Sequence, residues 1–197
     1  MVFNRDLPYN DLPLLPPKAE IENVKILHKA ANARAALAEL KGRCVVIPNP
    51  KMLIDTLVLQ EAKASSAVEN IVTTSEKLYA TAASSLNSKG DKAAKEVLRY
   101  RKALWRGFKS LNDKKKFDEA FFFNIVKNII EDCEGIRDIR KSDTIHVSNN
   151  VSHEIIYTPP EGVSIIRTKL RNLSEYLNDE KSSVEPLVRL AVAHYQF

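Results

Sequence analysis

A carboxylate surrounded by small residues is the first feature of the sequence whose chemistry needs an explanation. In the stretch "KASSAVENIVTTSE", Glu69 follows Ser65 by four positions and precedes Asn70. Val58 and Ala62 extend the spacing upstream, which places these side chains and Glu69 on one face of a helix. Because apolar residues hold the upper part of that face, it is expected to point inward, with Glu69 partly buried or lining a cleft.

Such a carboxylate would need a cationic partner. Glu69 lies at the predicted C-terminus of its helix, where the helix dipole disfavours an anion by roughly 0.3–1 kcal/mol. A buried acid at this place requires a cation or a hydrogen-bond network to replace its lost hydration. The alternative is an exposed surface glutamate on a frayed last turn, and the spacing alone favours neither.

The other residues that could do chemistry form no catalytic or metal-binding pattern. The sequence contains no GxSxG, GxxxxGK[ST] or HExxH. Its four histidines have no metal-ligand spacing; they are His28, His146, His153 and His194. A basic stripe could contact nucleic acid, but it is typical of the solvated face of an amphipathic helix, so nucleic acid is not expected as a partner. The stripe consists of Lys92, Lys95, Arg99, Lys102, Arg106 and Lys109.

Helical spacing predicts the elements that position Glu69. An Ala-rich helix is expected over Lys18 to Lys41, with Gly42 as its stop and its alanines packed closely in the interior. Asn49-Pro50 is typical of an N-cap followed by the first residue of a helix. A capping box over Thr73 to Glu76, with Thr73 as the cap, predicts the next helix start. The helix that carries Glu69 should therefore end near Asn70.

Further helices are predicted downstream. Lys89 to Lys109 should be helical, with an apolar stripe made of Val97, Leu104, Phe108 and Leu111. Phe117 to Ile130 is expected to be a largely buried helix, and two more helices are expected over Gly162 to Leu177 and Val184 to Phe197. The predicted fold class is therefore mostly α.

One β-hairpin interrupts the helical pattern. The β-branched runs Thr144 to Val147 and Glu154 to Pro160 flank the turn-rich Ser148-Asn149-Asn150, which predicts two paired strands. At the other end of the chain, Met1 to Pro17 contains four prolines, and these exclude a regular helix. An extended arm that lies over the body of the protein is expected there.

Composition limits the class of protein. The 197 residues carry a net charge of +5, which is compatible with a phosphate-bearing ligand. The two isolated cysteines, Cys44 and Cys133, indicate a reducing compartment. The N-terminus does not resemble a signal peptide, and no apolar stretch approaches the roughly 20 residues that span a bilayer. A cytoplasmic protein without a membrane segment is expected.

The final "EPLVRLAVAHYQF" stays apolar and periodic to Phe197, which suggests a fragment.

Four segments in this order closely resemble the N-terminal half of a Fic (filamentation induced by cAMP) family protein. They are "YNDLPLLPP", "NPKMLIDTLVLQEAKASSAVENIVTT", "GIRDIRKSDTIHV…IIYTPP" and "EPLVRLAVAHYQF". Most members of the family transfer AMP from ATP to a hydroxyl side chain of a target protein. The resemblance covers essentially the whole chain and implies a mostly α Fic-type fold, incomplete here, with one β-hairpin called the flap.

The resemblance gives Glu69 a regulatory role. The family carries an inhibitory helix with the pattern [S/T]-x-x-x-E-[G/N], and Ser65, Glu69 and Asn70 fit it. In the family this glutamate pairs with the second arginine of the catalytic motif, which otherwise grips the γ-phosphate of ATP. The inhibitory helix is expected over about 56–70 and is typical of the subclass whose helix precedes the catalytic core.

The resemblance also assigns the hairpin. In the family the flap aligns the target backbone by strand addition and so positions the acceptor hydroxyl. The flap is expected over about 143–158. Its target-docking residues are Thr144, Ile145, His146, Val147, Ile155, Ile156 and Tyr157. The Pro-Gly that usually precedes the flap in the family reads Ile136-Arg137 here, followed by the matching Arg140.

The catalytic motif of the family, H-x-F-x-[D/E]-G-N-G-R-x-x-R, does not occur in these residues. It supplies the base, the magnesium-binding acid and the phosphate cradle. His194 precedes the expected place of the motif and is not assigned as the base. This chain is therefore expected to be inactive alone and to bind neither ATP nor Mg²⁺ firmly, whereas the complete protein would use both. We expect an N-terminal region at 1–86 and the first part of the core at 87–197.

Three hypotheses remain open at this point. The chain is part of an autoinhibited AMP transferase, or a stand-alone regulatory or antitoxin-like module that supplies an inhibitory glutamate to another chain, or a non-enzymatic helical binding protein. The target protein is not identified by the sequence, and homo-oligomerisation is left open.

Overall fold

The computed structural model describes residues 3–48, 50–68, 71–83, 91–113, 116–129, 145–149 and 152–197, with the main chain alone at 50–53. The chain divides into two compact units. The first comprises Met1–Asn32, Phe117–Glu119 and Glu134–Phe197, and the second comprises Ala33–Lys116 and Ala120–Cys133. The predicted boundary between 86 and 87 lies outside the described residues, so that division stays a prediction.

In the second unit, three helices pack around one apolar cluster. These are α2 (Pro50–Val68), α3 (Ser75–Ala83) and α4 (Lys92–Asn112). The cluster contains Leu59, Ala62, Leu78, Ala94, Val97 and Leu98, with Tyr100 packed against it. Ala62, Ala94 and Val97 are completely buried. Since alanine side chains allow helices to approach closely, α2 and α4 meet along this cluster with little room for larger groups.

Local hydrogen bonds and proline explain where several helices start. The Oδ1 of Asn23 accepts a 3.1 Å bond from the Ile26 N–H, so α1 (Val24–Cys44) begins after Asn23 and not at Lys18 as predicted. Asp91 caps α4 by accepting a 2.9 Å bond from the Ala94 N–H. Helix α2 begins at Pro50, in agreement with the prediction. Proline is favoured there because it has no backbone N–H, and the N–H of the first helical residue has no acceptor within the helix.

Helix α1 differs from the prediction in its burial and its end. Ala30 is its buried residue, whereas Ala31, Ala35 and Ala38 are exposed, so the expected close packing of the alanines is wrong. The helix also continues through Gly42 to Cys44. A glycine near a helix end does not enforce a stop, since it adopts right-handed helical backbone as well as left-handed.

Helix α4 buries a different stripe from the one predicted. Val97 is buried as expected, but Leu104 and Phe108 are exposed. The buried side instead continues through Ala103 and Gly107, because these small residues permit close packing. Helix α5 (Glu119–Ile129) has no fully buried residue, and its phenylalanines are half-buried. The prediction of a largely buried helix there is wrong.

The first unit contains the N-terminal arm, a hairpin and two helices, α6 (Val163–Asn178) and α7 (Pro186–Gln196). Strands β1 (Val147–Ser148) and β2 (Ile155–Tyr157) pair antiparallel, with Val147 opposite Tyr157 and an irregularity after Val147. The Glu185 side chain caps α7.

The predicted fold class is confirmed. Within the described residues the elements are seven α-helices and one two-stranded antiparallel hairpin. Among these helices, none combines the length and the apolar character needed to cross a lipid bilayer.

Candidate functional site

Helix α2 leads directly to Glu69. Its buried side is formed by Leu59, Ala62 and Ser66, spaced three and four residues apart. Ser65 is half-buried at the margin of this side. The inward face is thus confirmed at Ala62, but the next buried position is Ser66 and not the predicted Ser65, because the packing against α4 sets the rotation of the helix.

Ser65 makes a local contact on α2. Its hydroxyl donates a 2.7 Å hydrogen bond to the Oε1 of Glu61, one turn earlier and on the exposed side of the helix. The serine of the inhibitory pattern therefore already has an acceptor among the described residues. Glu69 and Asn70, the other two residues predicted for this site, lie outside the described residues.

The end of α2 is closed by a backbone hydrogen bond across six residues. The N–H of Ile71 donates to the carbonyl of Ser66 at 2.9 Å. A bond of this span is one of the two that define a Schellman motif, in which the residue before the donor, position C′, is usually Gly or Asn. The sequence has Asn70 at that position. The Gly/Asn preference of the inhibitory pattern thus matches the chemistry of helix termination.

Two contacts join the end of α2 to α3. The Nζ of Lys63 donates a 2.8 Å bond to the Oγ of Ser75, the first residue of α3. Thr74 caps α3, since its Oγ1 accepts a 3.2 Å bond from the Lys77 N–H. The prediction that Thr73 is the cap is wrong by one residue. Thr73 is buried instead, and its hydroxyl has no hydrogen-bond partner among the described residues.

Asp91 connects the starts of α3 and α4. Its Oδ2 lies 3.1 Å from the Nζ of Lys77, while its Oδ1 caps α4 at Ala94. The backbone bond from Ala94, followed by the contact with Lys77, lowers the pKa of the Asp91 carboxyl below its ordinary value of 3.8. The segment that precedes Glu69 is thus held against two helices whose own starts are linked.

Residues 27–109, which include α2, α3 and most of α4, match the family model described as Fic/DOC family N-terminal. Over these residues the chain is similar to the N-terminal region of Fic/DOC family proteins. The resemblance seen in the sequence is thereby confirmed over residues 27–109, and the matched residues contain the whole of the Ser65-x-x-x-Glu69-Asn70 pattern.

Among the described residues, no group of three or more His, Cys, Asp or Glu side chains could hold a metal ion. The 197 residues also lack the Gly-Asn-Gly phosphate cradle of the family motif.

The hairpin is shorter than predicted. Ile145 and His146 precede β1 and are exposed, and Thr144 lies outside the described residues. Ile155, Ile156 and Tyr157 form β2, as expected.

Asn149 organises the turn between the strands. Its N–H bonds to the Glu154 carbonyl at 2.9 Å, its carbonyl accepts from the His153 N–H at 2.8 Å, and its side chain accepts from the Ser152 N–H at 3.0 Å. Ser148 was expected in this turn and is paired in β1 instead. The side chains at 145, 147 and 156 are all more than half exposed.

The N-terminal arm lies against elements near the other end of the chain, as predicted. The amide of Asn172 on α6 bonds both backbone groups of Leu15, at 2.7 and 2.9 Å. The Lys169 Nζ donates to the Leu12 carbonyl at 2.6 Å, and burial lowers the pKa of this lysine. Leu15 is buried, whereas Leu7 and Leu14 are exposed, so at α6 the arm is held by polar contacts and one buried leucine.

Sequence reasoning did not find the residues that hold the arm. Asn172 and Thr158 contact residues more than 150 positions away. Each is an ordinary polar residue within its own segment, so neither local spacing nor composition marks its partner.

Proposed function

We propose that this chain is the regulatory N-terminal part of a Fic-type protein adenylyltransferase, which transfers AMP from ATP to a hydroxyl side chain of a target protein. In this proposal Glu69 inhibits transfer by pairing with an arginine of the catalytic motif. ATP and Mg²⁺ are the cofactors of the complete enzyme, and the cytoplasm is its compartment.

The position of the inhibitory pattern carries the proposal. Ser65-x-x-x-Glu69-Asn70 lies within the matched residues 27–109 and begins inside α2, which is buried at Leu59, Ala62 and Ser66. A carboxylate inhibits best when its position is fixed. A mobile side chain loses conformational entropy when it forms an ion pair, and this loss weakens the pair. The packing of α2 supports such a role.

The hairpin supports the part of the proposal that concerns the target. It presents the exposed apolar side chains of Ile145, Val147 and Ile156 on a two-stranded sheet. A sheet edge accepts an extended peptide through main-chain hydrogen bonds, while neighbouring side chains contact alternate residues of that peptide. A target segment carrying Ser, Thr or Tyr is the partner that this surface would take.

The decisive experiment compares two glutamates of one region. In a polypeptide that contains this chain followed by the catalytic motif, Glu69→Gln should raise AMP transfer from labelled ATP by roughly 5–150-fold, the usual range of coupling between two sites. Glu61→Gln is the matched control, because Glu61 is exposed on α2 and its replacement keeps an acceptor for Ser65.

Equal activity of the two variants, with both folded, would reject the inhibitory role. If Glu69→Gln has no effect in that polypeptide but this chain lowers the activity of a separate catalytic chain, the result indicates a stand-alone module.

A further inference from the structure

One residue of the N-terminal arm contacts the chain on both sides of strand β2. The guanidinium of Arg5 lies 2.5 Å from the Oε1 of Glu154, the residue immediately before β2. The backbone carbonyl of Arg5 accepts a 2.6 Å hydrogen bond from the hydroxyl of Thr158, the residue immediately after β2. Arg5 therefore spans the whole strand.

The two contacts of Arg5 differ in how much they contribute to stability. The ion pair with Glu154 is about half exposed at both side chains, and ion pairs of this kind contribute little. Thr158 is almost completely buried, and its hydroxyl is satisfied by the arm. Because an unsatisfied buried hydroxyl is costly, the Thr158 bond is the stronger constraint on where β2 can lie.

Main-chain and side-chain bonds extend this contact along the arm. The N–H of Tyr9 donates to the Thr158 carbonyl at 3.1 Å. The Asn10 side chain accepts from the Glu161 N–H at 2.8 Å. Both groups of Thr158, its hydroxyl and its carbonyl, are thus bonded to the arm.

An aromatic cluster covers the same end of the hairpin. Phe3 and Tyr9 of the arm meet edge to face with ring centroids 5.3 Å apart. Tyr157, the last residue of β2, lies 6.3 Å from Phe3 and 6.4 Å from Tyr9. These separations are within the range in which aromatic pairs attract each other.

We propose that the N-terminal arm positions the hairpin: Arg5, Tyr9 and the aromatic cluster fix β2, and thereby the place at which the hairpin presents a target's acceptor hydroxyl. Arg5 and Thr158 are positioning residues, since neither is argued to touch a reacting atom. The claim that the arm fixes the hairpin depends only on these contacts. The claim that the hairpin thereby positions a target rests on the proposed function.

The first experiment measures amide hydrogen exchange in the chain of residues 1–197. Thr158→Val keeps the shape of the side chain but removes the donor to Arg5, and it should speed exchange at the Asn149 and His153 amides by about tenfold or more. Thr158→Ser restores the hydroxyl and should return exchange to near the wild-type rate.

Asn172→Ala is the matched control for this experiment. This replacement removes the hydrogen bonds between Leu15 of the arm and Asn172 of α6 but leaves the contacts at β2 in place. The rate of amide exchange in the hairpin should therefore not change. Unchanged exchange in Thr158→Val, or an equal increase in Asn172→Ala, would overturn the proposal.

The second experiment uses a polypeptide with the catalytic motif and measures self-modification with labelled ATP in the Glu69→Gln background. Thr158→Val should lower the rate by about tenfold or more, because small displacements of a reacting group are costly. Asn172→Ala should lower it less than about twofold, by the same argument, since the hairpin stays in place.

The two proposals fail in different ways. Absence of AMP transfer in every background rejects the proposed function, while hydrogen exchange still decides whether the arm holds the hairpin. Normal AMP transfer in Thr158→Val with a loosened hairpin overturns the positioning role alone.

Discussion

The N–H of Ile71 reaches back 2.9 Å to the carbonyl of Ser66 across the end of α2. Ser66 is itself buried, so the bond ties the chain after the helix to a residue in the core. The contact therefore joins the chain after α2 to the buried side of that helix.

Replacement at position C′ tests this ending of α2. In a Schellman motif position C′ has left-handed backbone, and Asn70 stands at that position in the sequence. If α2 ends in this motif, Asn70→Val should lower the free energy of unfolding by about 1–2 kcal/mol, whereas Asn70→Gly should leave it nearly unchanged. Chemical denaturation followed by circular dichroism measures both. Equal effects of the two replacements would contradict a Schellman ending.

The packing of α2 against α4 is tested at Ala62. Ala62→Leu inserts a large side chain into a completely buried position and should destabilise the protein by about 1–3 kcal/mol. Ala64→Leu is the matched control on the exposed side of the same helix, where a change within about 0.5 kcal/mol is expected. Similar unfolding midpoints for the two variants would show that this interface tolerates added volume.

Two helical glycines should respond differently to an added methyl group. Gly42→Ala should stabilise the protein by about 0.5–1 kcal/mol, because α1 gains helix propensity and no atom lies within 4 Å of the new Cβ. In Gly107→Ala the new Cβ would lie 2.9 Å from the Cδ1 of Ile125 on α5, so that side chain must move. Thermal unfolding should show a smaller gain for Gly107→Ala, and an equal gain would mean that Ile125 moves freely.

Acid should remove a contribution of Asp91. Its folded-state pKa lies below the ordinary 3.8, so the ionised carboxylate stabilises the fold above that pH and this contribution is lost as the pH falls through the folded-state value. Asp91→Asn keeps a capping oxygen for Ala94 but removes the charge that faces Lys77. The wild type should be the more stable protein at neutral pH, and the difference should shrink below pH 3.8.

A double-mutant cycle isolates the cause of this pH dependence. In a Lys77→Met background, Asp91→Asn should cost less at neutral pH than it does in the wild type, because the ion pair is already absent. Urea unfolding midpoints across a pH series provide the measurement. An undiminished cost would assign the effect of Asp91 to helix capping alone.

Local signals in the sequence predicted much of the secondary structure. Pro50 marks the start of α2, and the β-branched runs around Asn149 mark the hairpin, because proline geometry and strand alternation act within a few residues. The [S/T]-x-x-x-E-[G/N] pattern was equally visible, since its spacing and its helix-ending Asn are properties of one short segment.

Local signals failed where two stripes of the same helix could each form its buried face. Leu104 and Phe108 have the right spacing for the buried face of α4, yet Ala103 and Gly107 occupy it because small residues allow closer packing. The alanines of α1 allowed the same close packing and remain exposed, since close packing also requires a partner surface.

By itself, the sequence determined the mostly α fold, the hairpin and the Ser65-x-x-x-Glu69-Asn70 pattern, because periodicity and helix-end chemistry depend on neighbouring residues. The tertiary structure alone decided that Ser66 and not Ser65 faces the core, and that Arg5 and Thr158 join the arm to the hairpin. Arg5 and Thr158 are 153 positions apart in the sequence. The packing of whole elements brings such residues together, and no short sequence pattern specifies the pair.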